Sequence, residues 1–233
     1  MSVLRGFDDT SIAFSYKTDY ELKRAYYLFK LLSYPVLASI GKRLLQFLLS
    51  INFPIGFIIK RTVFAQFCGG ENERDCFRVI DKLHKNNISC ILDYSVEGSN
   101  TEADFDKTLN RTLNLIELIR EKSLTSFIVF KPSAVGRFDL YLKKANNETL
   151  NETEVSEWKR IEERFHMICS RARDNSISVL IDAEESWIQN PVDELIEKLT
   201  IKYNTSSCIV YFLVRLMWRF SAIKKWDMRH KQK

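Results

Sequence analysis

Several ionisable side chains in this chain stand just past apolar runs, where a fold that buries those runs would bring them to a rim. Lys131 follows Phe127-Ile128-Val129-Phe130 and precedes Pro132. Asp182 closes Ser178-Val179-Leu180-Ile181, and Glu184 and Glu185 follow it. Glu71 comes directly after "FAQFCGG", and Asp93 and Glu97 lie within "ISCILDYSVEG". A lysine whose stem starts in a buried strand can hold its ammonium toward an anionic group such as a carboxylate. The same spacing also fits a lysine that snorkels to water. Asp182 reads equally as a helix cap or as an acid paired across neighbouring strands. An acid and a base on adjacent strand ends could orient each other, so the pair carries more meaning than either residue alone.

The elements that must position these groups follow from periodicity. Asp19 to Val63 is helical in pattern, with Leu22, Tyr26, Leu28, Phe29 and Leu32 at helix spacing and Pro35 and Pro54 as breaks. It forms a basic, amphipathic lead-in, read as packing helices or as a surface that contacts a membrane. From Phe64 the rhythm alternates. Strands are expected at Phe64–Gly70, Ile88–Gly98, Ser126–Gly136 and Ser178–Ile181, with a fifth starting in "SSCIVYFLVRLM" and helices in the gaps. One of these helices, in "RDCFRVIDKLHKNN", should place Cys76, Val79, Ile80 and Leu83 on one face. Strands separated by helices indicate an α/β chain with a parallel sheet covered by its helices. Five strands fit either part of a (β/α)8 barrel or a doubly wound sheet, and both architectures bind ligands beyond the carboxyl ends of their strands.

Composition narrows the function classes. With 233 residues and 45% hydrophobic side chains, the chain can bury a sizeable core. Its five cysteines form no C-x-x-C pair and are expected to be small core residues in a reducing compartment. No signal peptide is visible, and Leu44 to Ile59, the longest charge-free stretch, is too short and too interrupted to span a membrane. A net charge of +5 hides an asymmetry: from Ile201 onward eight Lys/Arg face one acid. A nucleic-acid partner would therefore rest on the last 33 residues alone and is not expected. His84 and His166 lie in helical segments and His230 in the basic end, with no metal-ligand spacing, so no metal site is expected. Dinucleotide, P-loop and G-x-S-x-G signatures do not occur.

Three ordered segments, "FCGGENERDCFRVIDKLHKNNISCILDYSVEG", "FIVFKPSAVG" and "SVLIDAEESWIQ", resemble the proline dehydrogenase family, whose members are flavoproteins with a modified TIM barrel. The resemblance runs from the N-terminal helices to about Tyr211 and implies oxidation of L-proline to 1-pyrroline-5-carboxylate. It also implies FAD as hydride acceptor, a membrane quinone as electron acceptor, and a cytoplasmic protein with peripheral contact to the inner membrane. On this resemblance Lys131 contacts the substrate carboxylate, Asp182 sits beside it and sets its orientation, and Glu97 matches the acid that pairs with a substrate-binding arginine. Flavin-contacting residues are not assigned. The implied organisation is an N-terminal helical region over 1–63, a partial barrel of about five strands over 64–212 and a divergent basic tail over 213–233.

The chain also departs from the family pattern. The family's last three strands and its R-Y-x-x-R-R helix have no counterpart here, and the fifth strand reads "VYFLVRLMWRFSAIKKW" where the family carries flavin contacts. These departures lead to the expectation of a shortened barrel, ended by a frameshift or misplaced gene end, with impaired activity on its own. The competing expectation is an inactive barrel fragment, or a protein that binds a partner or a membrane through its basic aromatic tail.

Overall fold

The structure, a computed structural model, describes residues 9–93 and 101–212. Glu97 and the basic tail therefore lie outside the described residues. The chain divides into two compact units, Met1–Ser89 and Cys90–Lys233.

The first unit is helical throughout its described residues. After the single turn α1 (Thr10–Ala13), α2 (Asp19–Leu32) opens on a reciprocal cap: Thr18 Oγ1 accepts from the Glu21 amide at 3.3 Å and the Thr18 amide donates to Glu21 at 2.8 Å. α3 (Pro35–Ser50) begins at a proline, whose fixed φ suits the first helical position and whose missing N–H costs nothing there. Short turns follow as α4 (Gly56–Ile59), a π-helical turn (Lys60–Phe64) and α5 (Ala65–Phe67), before α6 (Glu73–His84).

The strand expected at Phe64–Gly70 is a helical turn instead. The Cys68 amide still donates to Phe64 O at 2.8 Å, so the preceding helical bonding runs through the segment and the two glycines end it. Gly70 has a packing reason: a Cβ there would stand 2.4 Å from Asp75 Cβ and 2.9 Å from the Cys76 amide nitrogen. The face expected on α6 is only partly formed, with Ile80 buried, Cys76 and Leu83 half-buried and Val79 exposed.

Lys82 on α6 donates to both oxygens of Glu21 on α2 at 2.8 Å. Hydrogen bonding to Lys82 and to the Thr18 amide lowers the Glu21 pKa to about 2. A depressed carboxylate pKa stabilises the fold above its unfolded value, and that contribution is lost as pH falls through the folded value. Glu21→Gln should therefore melt below the parent protein at about pH 6, and the gap should close between about pH 4.5 and 2 in thermal scans followed by circular dichroism. A gap that persists at pH 2 would sink this assignment.

The second unit carries the sheet. α7 (Glu102–Lys122) leads into β1 (Phe127–Phe130), the 3-10 turn Pro132–Ala134 and α8 (Phe138–Ala145); α9 (Glu152–Asp174), β2 (Ser178–Ile181), α10 (Gln189–Tyr203) and β3 (Val210–Phe212) follow. The three strands are parallel in the order β1-β2-β3, with Phe130 opposite Ile181 and Ile181 opposite Phe212. The α/β class with a parallel sheet is thus present, with three strands among the described residues. In the expected second strand, Leu92 makes one parallel bridge to Ile128 and residues 94–100 are not described. α8 was not among the expected elements, because the polar residues after it drew its segment into a loop.

Burial alternates along the strands. Ile128, Phe130, Val179 and Ile181 are buried, whereas Phe127, Val129, Ser178 and Leu180 are half-buried. The core forms where the buried face meets Ile161, Phe165 and Ile168 of α9, with Ile116 and Ile119 of α7 and Val192 and Leu195 of α10 in the same cluster. The rings of Phe130 and Phe165 meet edge to face at 5.0 Å. Of the five cysteines only Cys169 is a core residue, and burial pushes its thiol up to about 12. Cys68 and Cys208 are exposed and Cys76 and Cys90 intermediate, which corrects the expectation that all five are core residues.

Candidate functional site

Strand register brings the two principal residues together. The Asp182 amide donates to Phe130 O at 3.0 Å, so the β1–β2 ladder continues one step past the last paired strand residues. That step places Lys131 beside Asp182 on strands about 4.8 Å apart. Lys131 keeps extended backbone angles (φ −97°, ψ 134°), so side-chain alternation carries through it. Lys131 therefore shares a face with Phe127 and Val129, and Asp182 shares one with Ser178 and Leu180. This is the half-buried face, opposite the one that packs on the helices. Lys131 and Asp182 are both intermediate in exposure. The Asp182 carboxylate accepts from the Ala183 amide at 2.8 Å, which fixes one oxygen next to its own backbone.

The turn that carries Lys131 is held at three successive points. Ser133 donates from its amide (3.0 Å) and its hydroxyl (2.7 Å) to the same Glu184 oxygen, tying the loop after β1 to the loop after β2. Tyr141 on α8 donates to Pro132 O at 3.0 Å, and Arg164 on α9 donates to Val135 O at 3.1 Å. Burial, and then the Glu184 charge, raise the Tyr141 hydroxyl well above its ordinary range, so it stays a donor. Gly136 closes the turn against α9: a Cβ there would fall 2.5 Å from Ile161 Cδ1. At the other loop, the Glu184 amide donates to Gln189 Oε1 at 2.9 Å, and Gln189 Nε2 donates to Asp193 at 2.9 Å.

Among the described residues Arg164 is the largest fully buried side chain, at 2% exposure. It pairs with Asp106 at 2.8 Å and with Glu102, both on α7, and its guanidinium lies 5.6 Å from the Phe105 ring centre. Burial raises the Glu102 carboxyl, but hydrogen bonds from Arg160 and Arg164 outweigh it and hold the group below its ordinary range.

Of the residues singled out from sequence, Lys131, Asp182 and Glu184 belong to one cluster. Glu185 is half-buried in the same loop, where its carbonyl accepts from the Ile188 amide at 3.0 Å. Glu71, expected at a strand end, pairs instead with Lys60 at 2.8 Å within the helical unit, because the strand before it does not form. Asp93 is exposed next to the Leu92 bridge. Sequence reasoning missed Ser133, Tyr141 and Arg164. A serine two residues past a strand-end lysine was a local signal, but the tyrosine and arginine sit mid-helix and nothing local marks them.

Comparison with known proteins identifies the family. The sequence profile of the proline dehydrogenase family matches residues 76–214, more than half of the chain. The chain is 35% identical over 144 residues to the carbapenem antibiotics biosynthesis protein CarD of Pectobacterium carotovorum subsp. carotovorum, a match covering 62% of this chain and 38% of that protein. It is 25% identical over 242 residues to the mitochondrial proline dehydrogenase 1 of Dictyostelium discoideum, covering 87% of this chain and 42% of that one. A probable mitochondrial proline dehydrogenase of Schizosaccharomyces pombe is 22% identical over 258 residues, covering 89% and 51%. The matches thus span about half or less of these relatives' lengths. With the family profile matched across the sheet, its covering helices and the strand-end pair, the chain belongs to the proline dehydrogenase family.

Proposed function

We propose that this chain carries the substrate-orienting part of a proline dehydrogenase, which oxidises L-proline to 1-pyrroline-5-carboxylate. The observation that carries the reading is the in-register placement of Lys131 and Asp182 on the less covered face of a parallel sheet, at its carboxyl end. β1 to β3 are read as consecutive strands of a (β/α)8-type barrel, in which that face points inward and its carboxyl end forms the mouth.

The reaction takes a hydride from the ring carbon next to nitrogen and a proton from the nitrogen itself. FAD, when bound, accepts the hydride. The donor set fits such a pairing: a half-buried ammonium suits a carboxylate or a flavin carbonyl edge, and a half-buried acid beside it holds that ammonium in place. Lys131 binds the proline carboxylate and fixes which ring carbon faces the acceptor. Asp182 orients the Lys131 ammonium and balances its charge when no substrate is bound. Ser133 and Glu184 keep the two loops in register so that neither group drifts. Glu97 is proposed to pair with a substrate-binding arginine, and a membrane quinone is the proposed electron acceptor.

The test is direct. The purified chain, supplied with FAD, should develop flavin absorbance that stays with the protein through gel filtration, and it should reduce an artificial dye when L-proline is added. Hydroxyproline in place of proline would show how the site treats a ring substituent. A colourless protein that neither retains flavin nor reduces dye would overturn the reading for this chain.

A further inference from the structure

Two of the thiols meet at the turn from α5 into α6. Cys68 caps the end of α5 in extended backbone (φ −116°, ψ 139°), and Cys76 lies near the start of α6. Gly69 and Gly70 fold the chain back between them. A Cβ on Gly69 would stand 3.4 Å from Cys76 Sγ, an ordinary van der Waals contact, and one on Gly70 would stand 2.9 Å from the Cys76 amide nitrogen. The Cys76 sulfur therefore sits beside the residue bonded to Cys68. Both sides of the turn are anchored. The Cys68 amide donates to Phe64 O at 2.8 Å, and Arg24 on α2 donates to Ala65 O at 3.0 Å. Across the turn Asn72 caps α6, its Oδ1 accepting from the Asp75 amide at 3.1 Å, and Glu71 pairs with Lys60 at 2.8 Å. Cys68 is exposed and Cys76 intermediate, so a small solute in water meets the Cys68 sulfur first.

We propose that Cys68 and Cys76 are a peroxide-sensitive thiol pair, which hydrogen peroxide converts into an intrachain disulfide that staples α5 to α6. The Cys68 sulfur attacks one peroxide oxygen, the O–O bond breaks, and Cys68 becomes a sulfenic acid while the other oxygen leaves as water. The Cys76 sulfur then attacks the Cys68 sulfur, the S–O bond breaks, and a second water leaves. Two thiols and one peroxide thus give one disulfide and two waters. The bond asks for Cα atoms about 4.4–6.8 Å apart, against about 3.8 Å for each step along the chain. Rotation of the exposed Cys68 side chain, with a shift at Gly69, where no Cβ obstructs the backbone, brings the sulfurs together. A cellular thiol such as glutathione reverses the bond by exchange. Neither cysteine belongs to the strand-end site, so the pair stands or falls separately from the reading of that site.

The sequence supplies its own assay, because Arg74 lies between the two cysteines and trypsin cuts after it. The full chain is treated with hydrogen peroxide, its remaining thiols are alkylated, and it is digested without reductant. The peptides Thr62–Arg74 and Asp75–Arg78 should then run as one linked species, lighter by two hydrogens than their sum, and separate on adding dithiothreitol. The yield should not depend on protein concentration, and alkylation at Cys68 and Cys76 should be lost in step. Cys76→Ser should abolish the linked species and leave Cys68 as a sulfenic acid that dimedone traps. Cys68→Ser, at an exposed position, should abolish it with the thermal midpoint kept near the parent's. Cys208, also exposed, is the control and should be trapped by dimedone instead of entering a disulfide. The proposal is overturned if Cys68 and Cys76 stay alkylatable at peroxide doses that oxidise Cys208. Linkage of either one to Cys90 or Cys208, or a disulfide between chains whose yield rises with concentration, would overturn it as well.

Discussion

Lys131→Met is expected to lower kcat/KM for L-proline by about 100-fold, in line with the loss of one charge-assisted hydrogen bond to a carboxylate. The thioether keeps most of the stem volume at a half-buried strand end, so urea unfolding should stay within about 1 kcal/mol of the parent. The loss should appear mainly in KM if Lys131 binds the carboxylate equally in ground and transition states, and in kcat if it matters chiefly for placing the ring carbon. Asp182→Asn should cost less, about tenfold, because asparagine still offers the oxygen that accepts from the Ala183 amide at 2.8 Å and removes only the carboxylate's charge. An Asp182→Asn variant more impaired than Lys131→Met would sink the assignment of Asp182 as a positioning residue and give it a direct part in the reaction.

The second large effect concerns the buried guanidinium. Glu102 and Asp106 retain 38% and 60% side-chain exposure, whereas Arg164 has 2%. Removing the acids strands a cation in the core with a backbone carbonyl and a ring for company. Removing the arginine leaves Glu102 paired with Arg160 at 2.8 Å and returns the Asp106 carboxylate to water. E102A/D106A should therefore cost about 3–5 kcal/mol, the range for leaving a buried charge uncompensated. Arg164→Met should cost about 1–3 kcal/mol, chiefly for the Val135 carbonyl left without its donor. Urea unfolding of the two variants decides the matter, and the opposite order would show that the network is governed by something other than burial of the arginine. Because Arg164 also fixes the turn that carries Lys131, its loss should reach the site as well as the core.

Much of the second unit was legible in the chain. "FIVF" and "SVLI" are short, β-rich and bounded by turn residues, and both are strands, paired in parallel with each other. The segments behind α7 and α9 carried sustained helical periodicity, and Thr101 and Asn151 start them as caps. Phe64–Gly70 misled because aromatic residues and a cysteine fit a strand and a helical turn equally well over so few positions. There the helix before it decided the outcome. The cysteines misled for a related reason: their usual place is the core, yet Cys68 and Cys208 sit in segments where little packs over them.

By itself the sequence determined the α/β class, the strands β1 and β2 and the position of Lys131 and Asp182 just past them, because these depend on the order of residues along one strand at a time. What only the tertiary structure decided was which strand ends are neighbours and on which face they point. Register supplied the neighbour relation, and burial by α9 and its partners supplied the face. The brace from Ser133 to Glu184 spans 51 positions, and Arg164 reaches Val135 across 29. Contacts at such separations leave no local pattern, since each partner's residue type is common in its own element and is constrained only once packing brings the two together.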